Sequence, residues 1–322
     1  MSEESKIQNL KSTIAMVFPG QGSQSVGMGK DLSDNFPAAR AVFEEADDAL
    51  GFKLSEKCFA GSNEDLQQTE NTQPAILTTS IAAFRALENA GVAPPDFVAG
   101  HSLGEYSALV AANAIKFADA VKIVRLRGRF MQEAVPFGVG AMAAILGADL
   151  KTVEAACAEA AEHQICSAAN VNSQSQIVIA GHAEAVERAI EILKSKGAKR
   201  AIKLNVSAPF HCALMQPAQE RLAAELEKVE FSDLSFPCVT NAAAAPNSSG
   251  EKARAALVDQ VTAPVQWAQT IDFFIANKVK IFVEVGAGKI LSGLIRQIEQ
   301  NVKCFNVEDK ASLQTTEMNL AG

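Results

Sequence analysis

Short apolar runs that alternate with longer helical patterns constrain the fold of this chain most strongly. Residues 14–18 read Ile-Ala-Met-Val-Phe and end at a Pro-Gly pair, a pattern typical of a buried strand that runs into a loop. Helical patterns follow at 37–50 and 72–90, and residues 96–100 then predict a second short strand. Because strands that are separated by helices usually pair in parallel, the sequence predicts an α/β fold around a parallel sheet.

The stretch between residues 138 and 206 has a different order of elements. Its pattern predicts strands at 140–146, 166–172, 177–180 and 200–204, with helices at 150–163 and 183–196. This βαββαβ order is typical of a ferredoxin-like module. Since α/β patterning resumes afterwards, we predict a small domain at 138–206 inserted into a large domain formed by 1–137 and 207–322. The length of 322 residues agrees with two domains, at roughly 150 residues each.

The composition excludes disordered and membrane-spanning classes of protein. Hydrophobic residues make up 48% of the chain and charged residues 20%, as in ordinary globular proteins. Apolar runs are broken by polar residues long before the roughly 18 residues that a membrane helix needs, so no membrane partner is expected. Residues 1–12 read as a loose polar arm without the cationic and apolar regions of a secretory signal, which predicts a cytoplasmic protein.

Net charge and cysteine spacing narrow the possible ligands. The formal charge of −8 argues against nucleic acid as a partner and, taken alone, also against anionic substrates. The cysteines have no C-x-x-C spacing and no histidine at ligand spacing, so we expect inert thiols and neither a disulfide framework nor a metal site. These six cysteines are Cys58, Cys157, Cys166, Cys212, Cys238 and Cys304.

The pentapeptide at residues 100–104, Gly-His-Ser-Leu-Gly, is the strongest chemical signal in the sequence. It fits G-x-S-x-G, follows a predicted strand and precedes a helical run that begins at Glu105. Such a sharp turn exposes the serine hydroxyl at the helix N-terminus, where the helix dipole favours negative charge. The alternative is a serine that caps the helix and does no chemistry. The flanking strand and helix favour Ser102 as a nucleophile in an α/β-hydrolase-like domain.

A serine nucleophile needs a neighbouring base, and the chain has four histidines. His101 adjoins Ser102, and neighbours across a sharp turn tend to point apart, which favours a structural role. His163 lies in a polar helix and is expected to be solvated, while His182 begins a helix that it is expected to cap. His211 follows a Pro-Phe pair where the chain returns to the large domain, at an expected interdomain cleft. By elimination we predict His211 as the base.

The order of these residues along the chain differs from that of ordinary α/β-hydrolases. In those enzymes the triad runs Ser, then Asp or Glu, then a His near the end of the chain, whereas a long segment follows His211 here. Asp259 and Glu284 both stay open as acid partners of His211.

Eight segments spread over nearly the whole chain form an ordered set of motifs. They are residues 18–24 (FPGQGSQ), 100–107 (GHSLGEYS), 127–132 (RGRFMQ), 140–142 (GAM), 170–172 (NVN), 211–215 (HCALM), 264–267 (PVQW) and 284–289 (EVGAGK). Together they resemble the malonyl-CoA:acyl carrier protein transacylases of fatty-acid synthesis, specifically the discrete bacterial enzymes. That family's inserted ferredoxin-like subdomain also agrees with the predicted βαββαβ module.

The resemblance implies a role for the nucleophile, its base and the groups that stabilise the intermediate. Ser102 would accept the acyl group, and His211 would act as its general base. The backbone N–H groups of Gln21 and Leu103 would form the oxyanion hole. The backbone carbonyl of Gln260 would orient His211, which accounts for the lack of an obvious acid partner.

The resemblance also implies the substrate and its carboxylate site. Arg127 would hold the free carboxylate of the malonyl group, although without the resemblance it reads as a surface cation in the basic run 122–129. Asn170 would lie near the acyl pocket without a defined role. The implied partners are malonyl-CoA, as a substrate and not a cofactor, and acyl carrier protein, and we expect the enzyme to be a monomer.

Two other functions stay open from the sequence. A serine esterase or thioesterase would share the G-x-S-x-G turn, but it would release free malonate and would not need Arg127. A catalytically silent protein of the same fold would serve as a docking scaffold and would not become acylated.

Two basic clusters qualify the argument from net charge, because a global sum hides local fields. The first surrounds the implied carboxylate site and consists of Lys122, Arg125, Arg127 and Arg129. The second precedes His211 and consists of Lys194, Lys196, Lys199, Arg200 and Lys203. We expect part of the second cluster, with Lys289 and Arg296, to face the cleft mouth and dock an acidic carrier. The alternative is a solvated helix end and strand.

Overall fold

The computed structural model describes residues 13–206 and 208–320. The polar arm and the lack of a secretory signal predicted for residues 1–12 fall outside the described residues. The same holds for Ser207, at which the second segment of the large domain is predicted to begin.

Ten strands and fourteen helices make up the described chain, together with a 3₁₀ turn at Ala213–Met215. The strands are β1 (Thr13–Phe18), β2 (Phe97–Gly100), β3 (Gly140–Leu146), β4 (Cys166–Ser173), β5 (Gln176–His182), β6 (Arg200–Lys203), β7 (Cys238–Val239), β8 (Pro246–Asn247), β9 (Val279–Val285) and β10 (Lys303–Val307). The helices are α1 (Lys30–Asn35), α2 (Pro37–Leu50), α3 (Leu54–Ala60), α4 (Asn63–Gln67), α5 (Thr69–Asn89), α6 (Gly104–Ala111), α7 (Phe117–Glu133), α8 (Leu150–Ala161), α9 (Ala183–Ser195), α10 (Gln216–Leu226), α11 (Gly250–Asp259), α12 (Trp267–Ala276), α13 (Ile290–Ile298) and α14 (Lys310–Leu320).

The large sheet has six strands in the order β10-β9-β1-β2-β7-β8. All of its neighbouring strands pair in parallel except β7 and β8, which are antiparallel. Helices connect the parallel strands, as crossover connections require. The predicted α/β fold with a parallel sheet is therefore confirmed.

The second sheet contains the four strands of the predicted βαββαβ module, in the order β4-β5-β3-β6, and all of its pairs are antiparallel. Helices α8 and α9 pack together and cover one face with a separate apolar core. Strand β4 also meets the large part of the chain, since Asn170 forms a parallel bridge with Val265. The ferredoxin-like order is confirmed, whereas the domain boundaries at 138 and 206 stay predictions.

The first strand shows how the large sheet is buried on both faces. Met16 and Phe18 belong to the core cluster that includes α5, where Phe18 packs edge-on against Phe84 with ring centroids 6.2 Å apart. Ala15 and Val17 belong to a separate cluster with residues of α12. A parallel sheet covered by helices on both faces requires such a continuous apolar run. This explains why 14–18 carries no polar residue.

The structure departs from the sequence predictions mainly in short elements. Helices α1, α3 and α4 and the C-terminal elements β10, α13 and α14 were not predicted. Helices of five to seven residues are too short to show an apolar periodicity. Strand β10 lies at a sheet edge and is only partly buried, so it lacks a continuous apolar pattern.

The cysteines of the described chain are free thiols, as the sequence predicts. All six cysteines are unpaired; five are buried and Cys304 is partly exposed. No helix within 13–206 and 208–320 is long and apolar enough to cross a membrane.

The turn from β2 into α6 depends on two glycines because the backbones there approach too closely for a side chain. A Cβ atom on Gly100 would lie 1.9 Å from the carbonyl carbon of Gly104, and one on Gly104 would lie 2.0 Å from the carbonyl oxygen of Phe18. Backbone atoms cannot move aside as a flexible side chain can. The glycines of G-x-S-x-G are thus steric requirements of this turn.

We predict that Gly104→Ala lowers the free energy of unfolding by about 3 kcal/mol or more, since overpacking against fixed backbone is costly. Denaturant unfolding measures this change. Gly293→Ala in α13 is a matched control, because nothing lies within 4 Å of a Cβ there, and it should stabilise by about 0.5–1 kcal/mol. An unchanged unfolding midpoint in Gly104→Ala would contradict the steric explanation.

Candidate active site

A pocket lies where the large sheet meets the small one. Ser102 follows the carboxyl end of β2, and Gln21 follows that of β1, so both reach the same edge of the parallel sheet. Met142 of β3 and Asn170 of β4 line the pocket from the small sheet. The expectation of a cleft between the two parts of the chain agrees with this position.

The backbone holds Ser102 in the left-handed region, with φ of 52°. Such a conformation costs of order 1–2 kcal/mol for a residue with a side chain. Asn241, which follows β7, fixes the strained turn on both sides. Its Oδ1 accepts from the Ser102 N–H at 2.6 Å, and its Nδ2 donates to the carbonyl oxygen of Gly100 at 2.6 Å.

The hydroxyl of Ser102 contacts the imidazole of His211, and the Oγ to Nε2 distance is 2.7 Å. His211 is 3% exposed, and its Nδ1 lies 2.8 Å from the backbone carbonyl oxygen of Gln260. Since a carbonyl only accepts, Nδ1 carries the hydrogen and Nε2 is left free to accept from the serine. The structure thus brings together Ser102, His211 and Gln260.

Neither candidate acid partner contacts His211. Asp259 is exposed, and the buried carboxylate of Glu284 accepts from the backbone N–H groups of Leu291 and Ser292 at the start of α13. The backbone carbonyl of Gln260 occupies the place at Nδ1 that an acid would take.

Arg127 of α7 points into the pocket and is 2% exposed. Its Nη1 donates to Gln73 Oε1 at 2.8 Å, and its Nη2 donates to Gln260 Oε1 at 2.8 Å and to Ser102 Oγ at 3.1 Å. Its Nε has no partner among the described residues. The interpretation of Arg127 as a surface cation is therefore wrong, because the helix turns this residue toward α5 and the serine.

The other members of the first basic cluster do not surround the pocket. Arg125 lies near Glu70 and stacks over the ring of Phe52, Arg129 pairs with Glu133, and Lys122 is exposed. Lys122, Arg125 and Arg129 are three and four positions apart and share one helix face, whereas Arg127 lies two positions from Arg125 and from Arg129 and faces the other way. The expected cluster around the carboxylate site is thus reduced to Arg127.

Burial and the charge of Arg127 both act on His211. Removal from water lowers the pKa of His211 to about 3, and the positive charge of Arg127 contributes to the decrease. The imidazole is therefore neutral at neutral pH, which is the form that accepts a proton.

Two backbone N–H groups border the space beside the serine. Gln21 and Leu103 both line the pocket, and neither N–H donates to an acceptor within the described chain. Leu103 directly precedes α6, so the positive end of that helix dipole adds to the field at this point. The pair could therefore accommodate a negatively charged oxygen.

The remaining histidines do not contact the serine. His101 Nε2 lies 2.8 Å from Asn172 Oδ1, and desolvation lowers the pKa of His101. His163 is exposed, as expected. His182 precedes α9, but its side chain does not cap that helix, contrary to expectation. Its Nδ1 accepts from the backbone N–H of Ile165 and thereby ties β5 to the start of β4.

Sequence reasoning missed three polar residues that complete the site. Gln73 holds Arg127, Asn241 holds the serine turn, and Glu105 accepts from Gln260 Nε2 at 2.7 Å. A signal existed only for Glu105, which belongs to the segment 100–107. In the described part of the chain, no cluster of three or more His, Cys, Asp or Glu side chains could hold a metal ion.

Comparisons with known proteins agree with this geometry. The family model of the acyl transferase domain matches residues 15–319. The malonyl CoA-acyl carrier protein transacylase of Escherichia coli K12 is 51% identical over 93% of this chain and 97% of its own. That of Bacillus subtilis is 47% identical over 94% and 96%.

Solved structures give the same result. A malonyl CoA-acyl carrier protein transacylase from Coxiella burnetii has a TM-score of 0.95 at 41% identity, covering 97% of this chain and 99% of its own. A malonyl-transacylase in complex with its type II PKS acyl-carrier protein has a TM-score of 0.94 at 47% identity, covering 96% and 100%. Extensive sequence identity and a shared fold over almost the full length together establish that this chain belongs to the malonyl CoA-acyl carrier protein transacylase family.

Proposed function

We propose that this protein transfers the malonyl group of malonyl-CoA to the phosphopantetheine thiol of acyl carrier protein, in fatty-acid synthesis. The names of the bacterial relatives and the carrier complex of the neighbouring structure support this substrate pair. The observation that carries the proposal is the double contact of Ser102 Oγ, with His211 Nε2 at 2.7 Å and Arg127 Nη2 at 3.1 Å. A nucleophile with a base lies beside a cation suited to a carboxylate.

In the first half-reaction Ser102 Oγ attacks the thioester carbon while its proton passes to His211 Nε2. The N–H groups of Gln21 and Leu103 stabilise the oxyanion, and removal of one such donor typically costs about 3–4 kcal/mol of barrier. As the carbon–sulfur bond breaks, His211 returns the proton to the leaving thiolate. Free CoA departs, and malonyl-Ser102 remains.

The second half-reaction reverses these roles. The carrier's phosphopantetheine thiol attacks the ester carbon, and His211 accepts the thiol proton. The bond between the carbon and Ser102 Oγ then breaks, and His211 gives the proton to that oxygen. The carbonyl of Gln260 at His211 Nδ1 stabilises the imidazolium that forms in each half-reaction.

Arg127 supplies the preference for a carboxylated acyl group. Its guanidinium is buried without a carboxylate partner and keeps an unsatisfied Nε, so a malonyl carboxylate can pair with it. An acetyl group offers no such partner. An esterase or thioesterase would have no use for a buried arginine that contacts the nucleophile.

The reaction requires a single chain, since Ser102, His211 and Arg127 all come from it. We expect the active form to be a monomer in the cytoplasm, and gel filtration of the purified protein with a cell fractionation tests both points.

The proposed function is tested by incubating the protein with malonyl-CoA and holo acyl carrier protein. Intact-protein mass spectrometry should show one malonyl adduct, absent in Ser102→Ala, and malonyl carrier should form faster than free malonate. Predominant malonate release would indicate a thioesterase instead. A wild-type protein without an adduct would indicate a silent scaffold.

We predict that Arg127→Met lowers kcat/KM for malonyl-CoA by about 100-fold or more, because a buried ion pair to the substrate is lost. Methionine keeps the volume but carries no charge. Acylation by acetyl-CoA should change much less, so the ratio of the two rates is the measurement. Equal losses for both substrates would argue against carboxylate recognition by Arg127.

The low pKa of His211 predicts an unusual pH profile. Acylation by acetyl-CoA, which has no free carboxylate to titrate, should keep its rate as the pH falls below 6.5, the ordinary value for histidine. Arg127→Met removes a positive charge that lowers the pKa of His211, so its acid limb should move to higher pH. Rapid-mixing kinetics measure the acylation rate against pH for the wild type and for Arg127→Met. A wild-type rate that falls with a midpoint near pH 6.5 would contradict the buried neutral base.

The second basic cluster divides into paired and unpaired residues. Lys194, Lys196 and Lys203 pair with Glu191, Glu159 and Glu187. Lys289 and Arg296 are also engaged, with Glu308 and the carbonyl of Cys304.

By contrast, Lys199 and Arg200 are exposed and have no acidic partner within 4.0 Å among the described residues. Arg200 pairs with Leu146 at one end of β3, whereas Met142 lines the pocket nearer the other end of that strand. Because Lys199 and Arg200 are the members of this cluster whose positive charge is free, we assign carrier docking to them.

Reversing these charges tests the docking assignment. Lys199→Glu and Arg200→Glu should each raise the KM for the carrier about fivefold at low salt, with kcat unchanged and the effect fading as salt is added. Lys280→Glu is the matched control. Lys280 is exposed near the amino end of β9, and Ser102 lies at the other edge of the large sheet, where its parallel strands end. Equal effects of all three variants would exclude a specific docking site.

A further inference from the structure

Glu105 is a buried carboxyl that the reaction steps above do not use. It is the second residue of α6 and is 1% exposed. A buried carboxylate is costly unless it is hydrogen-bonded or paired. Its Oε2 accepts from Gln260 Nε2 at 2.7 Å and from the backbone N–H of Asn241 at 3.0 Å. Both donors belong to residues that also hold the reacting groups.

The first contact fixes the side-chain amide of Gln260. An amide has one donating end and one accepting end, so an acceptor at one end decides which end faces the other way. Here Nε2 donates to Glu105 and to the carbonyl oxygen of Ser102 at 3.0 Å, which leaves Oε1 to accept from Arg127 Nη2. In the flipped orientation, an NH₂ group would face the guanidinium and an oxygen would face the carboxylate.

The amide of Gln260 also lies between Glu105 and Arg127, so the carboxylate and the guanidinium do not contact each other directly. No carboxylate lies within ion-pair distance of Arg127 among the described residues, and its hydrogen-bond acceptors are the neutral Gln73, Gln260 and Ser102. A carboxylate in direct contact would occupy the guanidinium and compete with an acyl carboxylate. Acting through Gln260, the negative charge of Glu105 lessens the cost of burying the guanidinium and leaves its charge available.

The second contact anchors the nucleophile turn. The backbone of Asn241 donates to Glu105, while its side chain accepts from the Ser102 N–H and donates to Gly100. Burial raises the pKa of Glu105 to about 7, and the donors of Gln260 and Asn241 and the charge of Arg127 oppose that rise. The ionised form of Glu105 therefore depends on the same contacts that it organises.

We propose that Glu105 is a positioning residue that sets acyl selectivity, because its carboxylate orients the guanidinium of Arg127 through the amide of Gln260. This inference rests on the proposed malonyl transfer and deepens it. It assigns the preference for carboxylated acyl groups to a chain of three side chains, of which only Arg127 meets the substrate.

The variant Glu105→Gln tests the proposal with little change of shape. Glutamine replaces the carboxylate by a neutral amide that can present its NH₂ group to Gln260, so the charged acceptor of Gln260 Nε2 is lost and only the Ser102 carbonyl remains there. We expect kcat/KM for malonyl-CoA to fall about tenfold or more while that for acetyl-CoA stays within about threefold. Ser107→Ala is the matched control, since Ser107 is buried in the same helix and its Oγ has no partner within the described chain. It should keep both rates.

A second variant tests the route and guards against misfolding of the first. Gln260→Met removes the amide but keeps the backbone carbonyl that meets His211, and it should lose malonyl preference as Glu105→Gln does. In the double variant the ratio of kcat/KM for malonyl-CoA to that for acetyl-CoA should be no lower than in either single variant. Both changes interrupt the same series of side-chain contacts from Glu105 through Gln260 to Arg127.

The outcomes separate this proposal from the proposed function. A wild-type protein that prefers malonyl-CoA, together with variants that keep this preference, would overturn the role of Glu105 alone. Equal losses for both substrates in folded Glu105→Gln would also overturn it, since they indicate a purely structural role. A wild-type protein that forms no malonyl adduct would overturn both proposals.

Discussion

The site is organised around one positive charge that the protein buries and does not neutralise. The guanidinium of Arg127 lies in the interior, where an ion costs several kcal/mol, and it is held by the neutral acceptors Gln73, Gln260 and Ser102. The same charge helps to keep His211 neutral. Burial is the main reason that the base is neutral, and the charge to which we assign substrate recognition adds to this effect.

The residues that meet at this charge come from distant parts of the chain. Ser102 and His211 are separated by 109 positions, and both adopt left-handed backbone angles, with φ of 52° and 59°. The large sheet supplies the serine at its carboxyl edge, while the return of the chain from the small sheet supplies the histidine. Gln260 links the two regions, because its backbone carbonyl meets His211 Nδ1 and its side-chain amide donates to the carbonyl oxygen of Ser102, while Asn241 holds the serine turn. Strained conformations of this kind persist only where surrounding contacts determine them.

Sequence patterns predicted the features that are local or periodic. The strand at 14–18 and the βαββαβ module are periodic, and the turn at Ser102 is marked by glycines that have no room for side chains. His211 could be selected by elimination. Residue patterns alone could not separate Arg127 from a basic run, because only the phase of α7 against α5 buries it. Nor could they give the partner of His211, since a backbone carbonyl can belong to any residue, and both residues were predicted only through the family resemblance.

The position of β6 at the outer edge of the small sheet has a consequence for association. An edge strand leaves one row of backbone hydrogen-bonding groups unpaired and invites another chain to extend the sheet, and Ile202 on β6 is 48% exposed. β6 has only four residues, of which Arg200 and Lys203 carry positive charge, and Lys199 precedes them. If two copies paired through their β6 strands, the positive charges of Lys199 and Arg200 on one copy would repel those on the other. An acidic protein at the same edge would not be repelled. The charge at this edge therefore disfavours pairing with a second copy and is compatible with the carrier docking that we propose for Lys199 and Arg200.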